Sequence, residues 1–289
     1  MPTESKFVDR SRSVSGHVVL ITGAANGIGA ETARQLTAAG ARVALLDRDE
    51  AALKQLVDEL GDAAAAFVAD VTQADSLDAA VQAAAAHFGG IDTVVANAGI
   101  SGPVATVVSV DPLDFEQVVD INLLGVFRTV RAALPYVTAR RGYVMLVSSI
   151  MALIPSPTAA GYAATKAGVE AFGRALRVEL ADKGVAVGVA YFGLIETGMV
   201  RDIVSGTGFG GVLAKLPGFF GRPAPVASAG SVLTSGIARR ASRVFAPGYV
   251  RLLLDLRPLV ALGDRLMTRN GDLANVIRSA DAHALEAHA

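Results

Sequence analysis

Cysteine is absent from this 289-residue chain, which excludes disulfides, thiolate nucleophiles and cysteine-based metal sites. Histidine is scarce. His17, His87, His283 and His288 are scattered without ligand spacing, which argues against a zinc site. Charge is low as well, at 18% of residues, with 26 Lys and Arg against 27 Asp and Glu. A net charge of −1 gives no general electrostatic reason to bind nucleic acid or an anionic membrane. No apolar run reaches the roughly eighteen residues that a transmembrane helix needs. Met1 to Ser15 is polar and mixed in charge, so it does not read as a signal peptide. A soluble cytoplasmic protein is the expectation. What the chain has in quantity is apolar residues, 52% of the total, enough for a large core and too many for general disorder.

Those apolar residues fall into an alternating pattern. Short β-branched runs at His17–Thr22, Arg42–Asp47, Ala66–Ala69, Asp92–Ala96, Tyr143–Ser148 and Val185–Tyr191 read as strands. Ala- and Leu-rich segments between them predict helices to about Ala39, over Glu50–Leu60, and at roughly 73–88, 112–139 and 159–183. Strands that are apolar throughout and separated by helices imply a parallel sheet covered on both faces. The expected fold is therefore α/β, a doubly wound parallel sheet in one domain, with its ligand at the carboxyl ends of the strands. The expected boundaries are a tail at 1–15, a catalytic domain at 16–248 and a helical extension at 249–289. Pro223–Arg240 reads as helix, and Ser242–Ala246 reads as a last strand.

Tyr162 and Lys166 stand four apart on a predicted helix, on one face, with Ser149 upstream. A phenol with a pKa of about 10 is a poor acid or base near neutrality. A nearby ammonium favours the phenolate and pulls that pKa toward the working range. A hydroxyl beside the pair can hold a substrate oxygen, so the trio suits proton transfer to or from an alcohol or carbonyl. Gly23-Ala24-Ala25-Asn26-Gly27-Ile28-Gly29 follows the first strand and opens the first helix. Glycines there let the backbone approach a pyrophosphate, and the helix N-terminus supplies amides and a partial positive charge. Asp47 ends the second strand, where a carboxylate can accept both ribose hydroxyls and repel a 2′-phosphate, favouring NAD over NADP. Its other reading is a cap for the next helix. Arg48 beside it keeps NADP as the alternative, since it could bind a phosphate or stack on adenine.

With Asn97-Ala98-Gly99 and Asn122 added in order, the chain resembles the short-chain dehydrogenase/reductase family over about residues 15–200. The resemblance implies a Rossmann-type fold, a nicotinamide cofactor and hydride transfer between an alcohol and a carbonyl. It implies Tyr162 as general acid/base, Lys166 on the nicotinamide ribose and depressing the tyrosine pKa, and Ser149 on the substrate oxygen. It also implies that Asn122 holds a water in the proton relay, that Asp70-Val71 contacts adenine, and that Asn97, Ala98 and Gly99 line the cofactor. Each also has a plainer reading: Asn122 as a hydrogen bonder inside a helix, Asn97–Gly99 as a turn, Ser149 as an N-cap and Tyr162 as a partly buried aromatic. Two positions depart from the family. Ala96 stands where a second Asn is common, and Phe192 replaces the proline usually found before Gly193, which bears on the loop that carries Thr197, a candidate for the carboxamide.

Residues 194–222 take the place of a substrate lobe. Met199, Val200, Ile203, Val204, Phe209, Val212, Leu213, Leu216, Phe219 and Phe220 make it apolar, which suits a hydrophobic alcohol or ketone or else simply packs the lobe onto the domain. Tyr249–Thr268 is an amphipathic segment with a bend at Pro258; it could cover the substrate, pack on the domain or lie on a membrane surface. Asp272–Ala289 reads as a loosely held helix or tail. The expectation is an NAD-preferring short-chain alcohol dehydrogenase, with an NADPH-dependent carbonyl reductase or a non-catalytic dinucleotide sensor as alternatives. A homodimer or homotetramer through helices 112–139 and 159–183 is what the family implies. A Ser149 hydrolase fails for want of a histidine partner and a G-x-S-x-G elbow.

Overall fold

The computed structural model describes residues 13–201, 221–262, 264, 268–269 and 271–287. The apolar lobe residues Ile203, Val204, Phe209, Val212, Leu213, Leu216, Phe219 and Phe220 lie outside them, as do Leu266 and Met267.

Seven strands form one sheet: β1 (Val18–Thr22), β2 (Arg42–Asp47), β3 (Ala64–Val68), β4 (Thr93–Ala96), β5 (Tyr143–Ser149), β6 (Ala186–Phe192) and β7 (Arg243–Ala246). They run β3-β2-β1-β4-β5-β6-β7, and every neighbouring pair is parallel. β1, β4 and β5 are buried at every position, as a sheet covered on both faces demands. The edge strand β3 alternates between buried and open residues, and it starts two residues earlier than its apolar run suggested. The reversal of strand order between β1 and β4 opens a crevice at their carboxyl ends, where such sheets bind ligands.

The helices are α1 (Gly27–Ala38), α2 (Glu50–Leu60), α3 (Ala74–Phe88), α4 (Pro112–Val119), α5 (Gly125–Ala139), α6 (Ala160–Glu179), α7 (Val226–Ala238), α8 (Tyr249–Asp255), α9 (Arg257–Leu262) and α10 (Gly271–Ala287). Successive strand residues point to opposite faces, and two cores result. Val18 and Leu20 pack with Leu77 and Val81 of α3, Val130 of α5 and Val169 of α6. Val19 and Ile21 pack with Leu36 of α1, Leu53 of α2 and Leu233 of α7. This is the doubly wound arrangement that the alternating pattern implied, and the Rossmann-type fold that the resemblance implied.

Three departures from the sequence reading matter. Helix 112–139 is interrupted by a π turn over Asp120–Leu124, closed by Gly125 N–H donating to Asp120 O. The extra residue turns Asn122 fully inside, and such bulges recur at functional sites. The 249–268 segment is two short helices, with the break at Leu256 and Pro258 in the first turn of α9, where its missing amide costs nothing. Its Leu252, Leu256, Leu259 and Leu262 face outward, while Val250 and Leu254 pack on Tyr191 and Leu153. Finally, Asp272–Ala289, read as a loosely held helix or tail, takes the helical form over its described part, and α10 is held in place, burying Ala280. None of the described helices is long and apolar enough to cross a membrane.

Candidate active site

The loop between β1 and α1 needs its glycines for distinct reasons. Gly23 and Gly27 adopt φ of 66° and 55°, the left-handed region that favours glycine. A Cβ on Gly23 would sit 2.7 Å from the Ala98 Cα, and one on Gly29 would collide with the Gly23 carbonyl oxygen. Asn97 holds this loop: its Nδ2 donates to the carbonyls of Thr22 and Gly23, both at 3.0 Å, and its own N–H donates to Thr22 Oγ1 at 3.2 Å. Ile28 packs on the core beneath α1. Asn26 heads α1 without capping it through its side chain, so the first-turn amides keep no side-chain acceptor.

Asp47 does not cap α2. That role falls to Asp49, which accepts from Ala52 N–H at 3.0 Å. Asp47 Oδ2 instead accepts from Ala25 N–H at 3.1 Å, and Oδ1 accepts from Asp49 N–H at 3.2 Å. The carboxylate is thereby fixed against the glycine loop, with exposed Arg48 beside it. Asp70 folds back on itself, accepting from the N–H and hydroxyl of Thr72, while buried Val71 presses on Gly125.

The catalytic candidates converge where β5 meets α6. Ser149 ends β5; its Oγ donates to Phe192 O at 3.3 Å and accepts from Met151 N–H at 3.2 Å, so it does cap the short turn that follows. Its hydroxyl also lies close enough to that of Tyr162 to lower the phenol's pKa. Lys166, only 3% exposed, reaches under Tyr162, with Nζ 5.5 Å from the ring centroid and donating to Val147 O at 3.0 Å. Ser148 donates to Lys166 O at 2.8 Å and ties α6 to the sheet. Burial lowers the Lys166 pKa to about 8, since desolvation disfavours the ammonium.

Tyr162 departs from the expected direction. Burial pushes its hydroxyl up from the usual value, and the Ser149 hydroxyl opposes this in part. The Lys166 ammonium, placed over the ring with a proton held by a carbonyl, does not dominate in the protein by itself.

The Asn122 carboxamide is a brace. Oδ1 accepts from Ile100 N–H and Nδ2 donates to Ile100 O, both at 2.8 Å. Gly99 lies between this group and Lys166: a Cβ there would be 3.1 Å from Asn122 Oδ1 and 3.4 Å from Lys166 Nζ. On the opposite side, β6 runs on through Phe192, whose side chain is buried in the core under α1 and α7. Gly193 then fits under α8, because a Cβ would come 2.9 Å from Tyr249 Oη. Thr197 Oγ1 accepts from Val200 N–H at 3.4 Å, and its methyl lies 3.4 Å from where a Gly27 Cβ would be. The loops after β1 and β6 therefore meet over the sheet edge.

The sequence reading missed one wall of this cleft. Ser101, Pro103, Ala105, Val110 and Phe115 line a pocket that also contains Tyr162. It missed two struts as well. Buried Glu170, one turn beyond Lys166, pairs with Arg257 of α9 at 3.2 Å, and Arg257 also donates to Ala152 O. Asp281 of α10 accepts from Thr106 and Ser109. Nothing local marks these residues, since their partners lie scores of positions away. Among the described residues no cluster could hold a metal ion.

A family model described as short chain dehydrogenase matches residues 17–208, a stretch that ends before α7 to α10. L-fucose dehydrogenase of Mus musculus is 35% identical over 76% of this chain and 83% of its own length. The 3beta-hydroxysteroid dehydrogenase 1 of Eggerthella lenta is 35% identical over 77% of this chain and 88% of its own. Among solved structures, a 3-ketoacyl-(acyl-carrier-protein) reductase from Brucella melitensis complexed with NADH superposes with a TM-score of 0.72 at 29% identity. It is covered over 98% of its length by 81% of this chain, so about a fifth of this chain has no counterpart there.

Proposed function

The chain belongs to the short-chain dehydrogenase family, and we propose that it is an NAD-preferring oxidoreductase interconverting a hydrophobic secondary alcohol and its ketone. The crevice fits a nicotinamide dinucleotide. Side chains at Gly23 and Gly29 would strike Ala98 and the loop's own backbone and force the loop open, α1 has an N-cap without a side-chain hydrogen bond, and Asp47 offers a fixed carboxylate at the end of β2. Gly23, Asn26, Gly27, Ile28 and Gly29 would hold the pyrophosphate. Asp47 and Arg48 would meet the adenosine ribose and Asp70 and Val71 the adenine. Asn97, Ala98, Gly99, Gly193 and Thr197 would line the nicotinamide half, with Tyr162 and Lys166 at its ribose. When bound, this cofactor accepts or donates the hydride.

The chain's own residues would move the proton. In oxidation Tyr162 Oη accepts the hydroxyl proton of the alcohol, and in reduction it returns that proton to the ketone oxygen. Ser149 orients the substrate oxygen and, with its hydroxyl beside Tyr162, favours the phenolate. Lys166, whose pKa burial lowers to about 8, would as the ammonium stabilise negative charge on the phenol. Asn122 keeps Ile100 and Gly99 in place beside the lysine.

The observation that carries this reading is the convergence of Ser149, Tyr162 and Lys166 at the mouth of a crevice whose glycine loop is braced by Asn97. Apolar Ala105, Val110 and Phe115 beside Tyr162, among polar Ser101, Thr106, Asp114 and Thr158, support a hydrophobic substrate such as the steroid relative's name implies. Exposed Leu113, Leu124 and Phe127 on the α4–α5 face support a homodimer or homotetramer. Arg48 keeps an NADPH-dependent carbonyl reductase as the second reading.

The test is a screen of 2-octanol, a 3β-hydroxysteroid and L-fucose with NAD⁺ and NADP⁺, followed by coenzyme absorbance. NAD⁺ should support at least about tenfold higher kcat/KM, the effect of one misplaced charge on a phosphate. A preference for NADP⁺ would overturn the role of Asp47, and turnover of fucose alone would overturn the substrate class.

A further inference from the structure

The loop from Ser101 to Val110 leaves β4, forms one wall of the pocket beside Tyr162, and has only short turns of its own. Two long-range ties hold it. At one point Ala105 N–H donates to Thr158 O at 3.1 Å. Thr158 is buried and has a φ of 67°, a rare conformation for a β-branched residue and one that persists only where the surroundings enforce it. It stands four residues before Tyr162, at the entry to α6. At the adjacent residue, Thr106 Oγ1 donates to Asp281 Oδ1 at 2.5 Å, and Ser109 Oγ donates to the same oxygen at 2.7 Å. Thr106 N–H in turn donates to Ser109 Oγ at 3.1 Å, closing a small ring of hydrogen bonds around one carboxylate oxygen.

We propose that Asp281, on the C-terminal helix α10, is a positioning residue that holds the 101–110 loop in its cleft-forming shape and so sets how large substrates sit against Tyr162. The line of contact is continuous: Asp281 to Thr106, Thr106 to its neighbour Ala105, Ala105 to Thr158 O, and Thr158 into the start of α6. Bonds from neutral hydroxyls to a carboxylate are stronger than neutral ones. The hydrogen bonds from Thr106 and then Ser109 hold the Asp281 carboxyl below its ordinary range, so the acceptor stays ionised at neutral pH. Nothing in the arrangement touches the glycine loop, Ser149 or Lys166. Loss of Asp281 should therefore loosen the substrate wall and leave cofactor binding alone.

The experiment compares the full chain with Asp281→Ala, Thr106→Val and Thr106→Ser, and has two arms. Hydrogen exchange reads the loop directly. Amides of 101–110 should exchange about tenfold faster in Asp281→Ala and Thr106→Val, and near the parent rate in Thr106→Ser, which keeps the donor. The kinetic arm rests on the oxidoreductase reading and uses 2-octanol with NAD⁺. KM for 2-octanol should rise at least about fivefold in the first two variants, with kcat and the Kd for NADH within about twofold of the parent. Unchanged exchange in Asp281→Ala overturns the proposal, as does a loss of kcat and NADH affinity with KM unmoved. A parent that oxidises no alcohol overturns the functional reading instead, and the exchange arm still decides whether Asp281 holds the loop.

Discussion

The two sides of the cleft are built by different means. On the cofactor side, positions are set by positive-φ glycines and by side chains from the ends of neighbouring strands, Asn97 bonding Thr22 and Gly23 and Asp47 bonding Ala25. On the substrate side, positions depend on single side chains arriving from the C-terminal extension. Arg257 reaches Glu170 and Ala152, and Asp281 reaches Thr106 and Ser109. Tyr162 stands at the junction, beside Ser149 on one side and lining the pocket on the other. The difference teaches that the 101–110 wall rests on contacts from the C-terminal extension that the glycine loop does not use, while α6, braced by Arg257, serves both sides.

Substitutions can break that contrast in order of expected size. Tyr162→Phe removes the proton carrier and should lower kcat for 2-octanol by about 10²–10⁴-fold, measured by NADH formation, while Kd for NADH changes little. Lys166→Met tests the buried ammonium. Its folded pKa of about 8 lies below the ordinary 10.5, so from about pH 8 to pH 10.5 the unfolded chain binds more protons than the folded one. The burial cost is present in full below pH 8 and lifts as pH rises through that window. In denaturant titrations the parent should therefore gain up to about 3 kcal/mol on Lys166→Met between pH 7 and pH 10.5. Gly29→Ala places a methyl group against the Gly23 carbonyl; it should cost about 1–3 kcal/mol of stability and weaken NADH binding, leaving exchange in the 101–110 loop unchanged.

The cofactor side was largely legible in the sequence because its signals are local. A strand such as Val18–Thr22 followed by closely spaced glycines has few structural meanings, and Tyr162 and Lys166 share a helix face by arithmetic alone. What could not be read there required tertiary information. The π turn at Asp120–Leu124 has no marker in residue type, yet it places Asn122 against Ile100. The upward shift of Tyr162 follows from burial, which spacing cannot report. Phe192 reads as a departure in the loop, whereas the fold uses it to extend β6 and fill the core under α1 and α7. Asp281 pairs with a threonine 175 positions away, so nothing local showed that the C-terminal helix is held rather than loose.

The separation of the two sides is tested most directly by measuring kcat and KM for 2-octanol, with Kd for NADH, in Tyr162→Phe and Asp281→Ala side by side. The account predicts that the first variant loses kcat alone and the second raises KM alone, both binding NADH as the parent does. A shared loss of kcat and of NADH affinity in Asp281→Ala would show that the extension supports the whole site, and would contradict it.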